Sequence, residues 1–117
     1  MMYEIVEGNS FRVYKFNSVP LSVEVRNDLY NDNKINVFIN INEKSALVVM
    51  LLGDFEEECD FYYDIKFLTA DDKTLKQSYC IVEKNQEKQF VEAIYYFVVE
   101  RNVIQIFQDY CKNKGVS

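Results

Sequence analysis

The chain of 117 residues contains no histidine and no tryptophan, one proline, three glycines and three cysteines. Without histidine the sequence lacks the commonest general base and the commonest transition-metal ligand. It also has no glycine-rich phosphate loop, no nucleophile elbow and no Cys-x-x-Cys pair. These absences predict a protein that is not an enzyme, with no catalytic residues, no cofactor and no bound metal.

Long hydrophobic runs are also missing. The longest uncharged stretch is Ser45–Gly53, whereas a spanning helix needs about 20 apolar residues. The first residues, M-M-Y-E-I-V-E-G, lack the basic and apolar regions of a secretory signal. An odd number of cysteines without a Cys-x-x-Cys pair favours reduced thiols. We therefore expect a cytoplasmic protein.

The residues that are present predict one folded domain over residues 1–117. Hydrophobic residues make up 49% of the chain and aromatic residues 15%, so enough apolar surface exists to offset chain entropy. A chain of this length suits one domain with one core. We expect an α+β fold in which a largely antiparallel β-sheet meander of about six or seven strands packs against a C-terminal helix.

The strands are predicted from alternating apolar and polar residues. In Leu21–Arg26, for example, every second side chain is apolar, which indicates a sheet with one solvated face. The polar stretches Glu7–Ser10, Asn27–Lys34 and Asn42–Lys44 predict turns or loops, and Gly8 can take a positive φ in the first. The predicted strands are Tyr3–Val6, Phe11–Phe16, Leu21–Arg26, Ile35–Ile41, Ala46–Leu52 (a central strand or a short buried segment), Phe55–Leu68 and Leu75–Val82.

The last two strands predict a hairpin closed by Thr69–Thr74. One pairing register of the hairpin places aromatic and aliphatic pairs on a single face. This favours it over the adjacent registers. Its pairs are Phe67–Leu75, Tyr63–Tyr79 and Phe61–Ile81.

The strongest helical signal runs from Asn85 to about Asn113. Asn85 is the predicted N-cap, and Glu87 places an acid in the first turn, where the helix dipole favours it. Arg101 and Asn102 leave two readings open: the helix continues, or Val103–Phe107 forms a final strand. Apolar residues at helical spacing are Phe90, Ala93, Ile94, Phe97 and Ile104.

The helical segment is apolar nearly all round, which one sheet cannot cover. We therefore expect a homodimer whose interface includes Val91, Tyr95 and Val98. Phe38, which points outward from an otherwise polar strand face, indicates self-association as well. A structural or adaptor domain that acts as this homodimer is the alternative to the function predicted next.

The net charge of −6 is concentrated in one stretch. Residues 54–72 contain eight acids and one lysine, a net of −7, whereas residues 1–53 and 73–117 have nets of −1 and +2. The chain has no basic footprint, so direct nucleic-acid binding is not expected. The acidic residues point instead to a protein partner with a basic surface. The predicted partner-binding residues, in or beside the strand Phe55–Leu68, are Asp54, Glu56, Glu58, Asp60, Tyr62 and Asp64.

The function predicted from this charge is that of a small acidic protein-binding module. Acidic side chains at i and i+2 would form a row about 6.6–6.8 Å apart. In a basic, nucleic-acid-binding site of a partner protein, such a row can take the place of the phosphate backbone of the nucleic acid. Two alternatives are a solvated face that keeps the protein soluble and a divalent-ion site. In size, acidity and architecture the chain resembles bacterial immunity proteins and phage-encoded inhibitors of host defence, without a shared motif.

Overall fold

The computed structural model describes residues 3–26, 30–31, 34–52, 61–68, 73–82 and 86–113. In these residues one antiparallel sheet is followed by two C-terminal helices, which confirms the predicted α+β class. The strands are β1 (Tyr3–Glu7), β2 (Phe11–Phe16), β3 (Leu21–Arg26), β4 (Tyr30–Asn31), β5 (Lys34–Ile41), β6 (Lys44–Leu52), β7 (Phe61–Leu68) and β8 (Thr74–Val82). The helices are α1 (Glu87–Glu100) and α2 (Val103–Asn113).

The sheet is a meander in the order β1-β2-β3-β5-β6-β7-β8. Each strand of this path lies beside the preceding strand of the path. The two-residue strand β4 pairs with β5 outside this path, within the stretch that the sequence predicted as a loop. The first part of the predicted strand Phe55–Leu68, residues Phe55–Asp60, lies outside the described residues.

One face of the sheet, the inner face, forms the core together with both helices. Tyr63 meets Phe90 of α1 edge-to-face at 5.2 Å between ring centroids, and Phe67 meets Phe107 of α2 at 5.3 Å. Fully burying a side chain such as Phe67 stabilises a fold by about 1.5–3 kcal/mol. The buried strand residues of this face are Tyr14, Phe16, Leu21, Val23, Val25, Ile35, Val37, Ile39, Ile41, Ala46, Val48, Met50, Tyr63, Ile65 and Phe67.

The predicted register of the last hairpin is wrong by one residue. Phe67 pairs with Lys76, and Leu68 pairs with Thr74, so a β-bulge leaves Leu75 without a direct partner. A one-residue shift moves every side chain of a strand to the other face. Tyr79 consequently pairs with Asp64 on the outer face and is 63% exposed.

Backbone conformation explains the residues of one turn, and the space available to a side chain explains a glycine in another. Asn42 and Glu43 form the two-residue turn between Ile41 and Lys44, with φ values of 52° and 69°. Positive φ at both central residues is the requirement of a type I′ hairpin turn. Gly8 has a different role from the predicted one, since its φ lies outside the left-handed region. A Cβ there would lie 2.4 Å from the ring of Phe11, so glycine leaves room for that ring.

The helical segment is divided by a turn at Arg101 and Asn102. Asn102 adopts a left-handed φ of 58°, and the backbone N–H of Arg101 donates to the carbonyl oxygen of Phe97. Val103 then begins a second helix, so the segment is neither one continuous helix nor a helix followed by a strand. The predicted N-cap is also wrong: Gln86 occupies it and makes no side-chain capping hydrogen bond.

Candidate protein-binding surface

The outer face of the sheet points away from both helices and carries Asp64. Along β7, Tyr63, Ile65 and Phe67 are buried, while Asp64 and Lys66 are half-buried. This alternation confirms the predicted faces of the strand from residue 63 onward. Of the other predicted partner-binding residues, Asp54, Glu56, Glu58 and Asp60 lie outside the described residues, and Tyr62 is described only by its place in β7.

Asp64 lies between an aliphatic and an aromatic neighbour. Leu51 of β6 pairs with it on one side, and Tyr79 of β8 pairs with it on the other. The ring of Tyr79 is therefore an exposed partner-binding candidate beside the acid. Sequence reasoning missed it because the predicted register placed Tyr79 on the inner face.

Further apolar side chains continue the outer face across the sheet. Phe38 is 37% exposed, as its outward position in the pattern predicted, and pairs with Leu47. The guanidinium of Arg26 lies 4.3 Å from the centre of the Phe38 ring, a cation–π contact. Val49, by contrast, is only 5% exposed, although it belongs to the same face. An apolar centre with charged groups around it has the general composition of a protein–protein interface.

The predicted dimer interface on α1 is not available as proposed. Val91 and Val98 are 1% and 0% exposed within the chain itself. Tyr95 is half-buried and stacks on Phe16 with 4.7 Å between ring centroids. The reason is that α2 shares the core with α1 and supplies cover that one helix on one sheet would lack. Self-association itself stays a prediction, and it needs a different surface.

A polar cluster joins strand β2 to the start of α1. The guanidinium of Arg12 donates to both carboxylate oxygens of Glu87, with Nε–Oε2 at 2.8 Å and Nη2–Oε1 at 2.5 Å. The hydroxyl of Tyr14 donates to Oε2 of the same carboxylate at 2.5 Å. Bidentate, charge-assisted contacts of this kind are among the stronger hydrogen bonds in proteins. The cluster holds the N terminus of α1, where no side-chain cap is present.

The pKa values in this cluster follow from the same contacts. Hydrogen bonding to Arg12 lowers the pKa of Glu87, and the hydroxyl of Tyr14 lowers it further, against the opposing effect of burial. Burial is the main cause that raises the pKa of Tyr14, with the Glu87 carboxylate adding to it. The sequence placed Glu87 in the first helical turn but gave no sign of partners 73 and 75 residues away.

Two depressions open on the described surface. The larger, of about 770 Å³, lies at the turns that follow β2 and β5 and is lined by Lys15, Val19, Asn40 and Asn42 among others. The smaller, of about 370 Å³, lies between β8 and α1. Within the described residues no three Cys, Asp or Glu side chains are grouped so that they could hold a metal ion.

Known proteins give no guide to the role of this surface. Comparison with protein-family models, curated proteins and solved structures finds no match to the chain. In the part of the chain that the structure describes, no helix has the length and apolar character needed to span a membrane. Function must therefore be inferred from the charge distribution and from the outer face.

Proposed function

We propose that this protein is a small acidic binding module, an inhibitor or immunity-type protein that occludes a basic, nucleic-acid-binding site on a partner protein. The observation that carries the proposal is the net charge of −7 in residues 54–72, which exceeds the −6 of the whole chain. Single-sign charge concentrated in one segment creates a local field that attracts a basic surface.

The fold supports this function through the position of β7. Asp64 and Lys66 extend to the outer face, opposite the side on which the helices pack. Leu51 and Tyr79 add apolar area beside Asp64. The outer face therefore offers a partner both a charged group and apolar contact area. In interfaces of that composition, charge contributes specificity and buried apolar side chains contribute affinity.

The expected mechanism is electrostatic competition with nucleic acid. A strand of DNA carries one charge per about 3.4 Å of axial rise, and its charges lie further apart along the wound backbone. A row of carboxylates about 6.6–6.8 Å apart can therefore present repeated charge to the same basic groove. Complementary charge raises the association rate and makes it sensitive to salt. The protein would then occupy the groove without any chemistry of its own.

Reversal of two acids in the segment tests the proposal. Wild-type protein and the Glu58→Lys, Asp60→Lys variant are immobilised and exposed to lysate of the native cells. Proteins kept at about 0.05 M salt and released at about 0.5 M are identified, since the Debye length falls from roughly 14 Å to about 4 Å over this range. We expect a basic protein that the wild type retains and the variant loses.

A matched control separates position from total charge. The Glu4→Lys, Glu7→Lys variant has the same change in net charge on exposed positions of β1, and it should retain the partner. Association rates measured with the purified partner should fall about tenfold or more for the Glu58, Asp60 variant alone. Unchanged binding by that variant with an intact fold would show that the acids serve solubility rather than recognition.

A further inference from the structure

Strand β8 is the last strand of the described sheet. In the strand order β8 has a neighbour on the β7 side, and no described strand lies beyond it. The edge of a sheet presents backbone donors and acceptors that can pair with another extended chain. An occupant of this edge is therefore expected to be a β-strand.

The two edges of the sheet differ in how well they are protected. β1 is five residues long and carries Glu4 and Glu7, which disfavour pairing with another strand. β8 is nine residues long, and its residues 77–82 read Q-S-Y-C-I-V, without charge, proline or glycine. Segments of six uncharged residues rich in β-formers are those that pair most readily when they lie at an edge. Lys76 protects only the beginning of the strand.

Exposed aromatic side chains flank the same edge. Tyr79 is 63% exposed on the outer face, and Tyr96 of α1 is 49% exposed. Tyr79 and Tyr96 both line the depression of about 370 Å³ between β8 and α1. The buried residues Ile65 and Phe97 line it too. An added strand would therefore cover apolar surface as well as satisfy backbone groups.

We propose that a second copy of this chain occupies the edge, so that two β8 strands pair antiparallel around a two-fold axis and form one continuous sheet. The tract at residues 77–82 carries no charge, so it pairs with itself without placing like charges opposite each other. A two-fold axis perpendicular to the sheet keeps the helices of both copies on one face. It brings the sides of the two α1 helices that carry Tyr96 toward each other. Such isologous contacts are the commonest in soluble oligomers.

This dimer does not depend on the proposed recognition by the acidic segment, and salt distinguishes the two. Each copy carries a net charge of −6, so the copies repel each other at low ionic strength. Screening should therefore maintain or strengthen the dimer when salt rises from about 0.05 M to about 0.5 M. A complex between the acidic segment and a basic partner should weaken over the same range.

Sedimentation velocity tests the dimer from about 1 to about 100 µM protein, a range that brackets a micromolar dissociation constant. The mass of the wild type is expected to rise from 13.9 kDa toward twice that value. Tyr79→Lys and Tyr96→Lys each place a charge beside the edge and should weaken dimerisation about tenfold or more. Because Tyr96 lies on a helix, its variant tests the interface even if Tyr79→Lys perturbs the hairpin. Circular dichroism checks that each variant is folded.

The matched control is Val6→Lys, which adds a charge at an exposed position of the other edge strand. It should dimerise like the wild type. Amide hydrogen exchange should show protection in residues 77–82 that falls on dilution. A wild type that is monomeric at about 100 µM, or a dimer that Val6→Lys dissociates and Tyr79→Lys does not, would overturn the proposal.

Discussion

Replacing Glu87 by glutamine tests whether the contacts between β2 and α1 stabilise the fold. The substitution keeps the shape of the side chain and removes the charge that receives Arg12 and Tyr14. Hydrogen bonds to charged groups contribute about 1.5–3 kcal/mol, and partial exposure reduces this value. The side chains of Arg12 and Glu87 are 31% and 24% exposed. We therefore expect the free energy of unfolding to fall by about 1–2 kcal/mol.

Urea denaturation at pH 7 measures this loss as a lower midpoint at constant slope. Glu92→Gln, a change of the same kind further along α1, should alter stability by about 0.5 kcal/mol or less. The pH dependence gives a second readout. Because the pKa of Glu87 is lowered in the folded state, its stabilisation is complete above its ordinary pKa of about 4.3 and is lost as pH falls through the lowered value.

The stability difference between wild type and Glu87→Gln should accordingly shrink as pH falls from about 7 to about 3. A loss of less than about 0.5 kcal/mol at pH 7 would contradict the reasoning. So would a difference that stays the same at both pH values, because the charge of Glu87 would then have no part in it.

Two further predictions concern residues in the left-handed region. Glu43→Gly should raise the free energy of unfolding by about 0.5–1 kcal/mol, because Glu43 has a φ of 69° in a turn that favours Asn-Gly; a midpoint in urea that falls would contradict this. Asn102→Gly should leave the thermal midpoint nearly unchanged, whereas Asn102→Val should cost about 1–2 kcal/mol, because a β-branched residue is strained at a φ of 58°. Equal midpoints for the two Asn102 variants would show that the turn between the helices tolerates other conformations.

The strands were predictable because burial leaves a period of two in the sequence. Leu21–Arg26 has the predicted bounds, since its buried and solvated faces alternate without interruption. The helix signal was also reliable, because Phe90, Ile94 and Phe97 recur at helical spacing and are buried. Local periodicity was thus sufficient to predict the fold class and, for most elements, which face is buried.

The features that depend on single residues or distant pairs were not predictable in this way. The bulge at Leu75 shifts the last hairpin by one residue, and nothing in its composition marks the shift. The turn at Asn102 separates two helices that share one apolar pattern. The contact of Glu87 with Arg12 joins residues 75 positions apart, a separation at which sequence periodicity carries no information.

For the candidate surface too, some features were predictable from the sequence and others required the structure. The concentration of acids in residues 54–72 is a property of the sequence. The direction of Asp64 followed from the alternation of β7, but the presence of Tyr79 beside it required the true register. The predicted role of Val91 and Val98 failed because the second helix was not foreseen.

The central claim is that the acidic segment competes with nucleic acid for a basic site on a partner. It is tested most directly by fluorescence anisotropy of a labelled DNA duplex bound to the partner captured by the wild type. Added wild-type protein should release the duplex, and the Glu58→Lys, Asp60→Lys variant should need a concentration about tenfold higher or more. A ternary complex in which the duplex stays bound at saturating wild-type protein would contradict the claim.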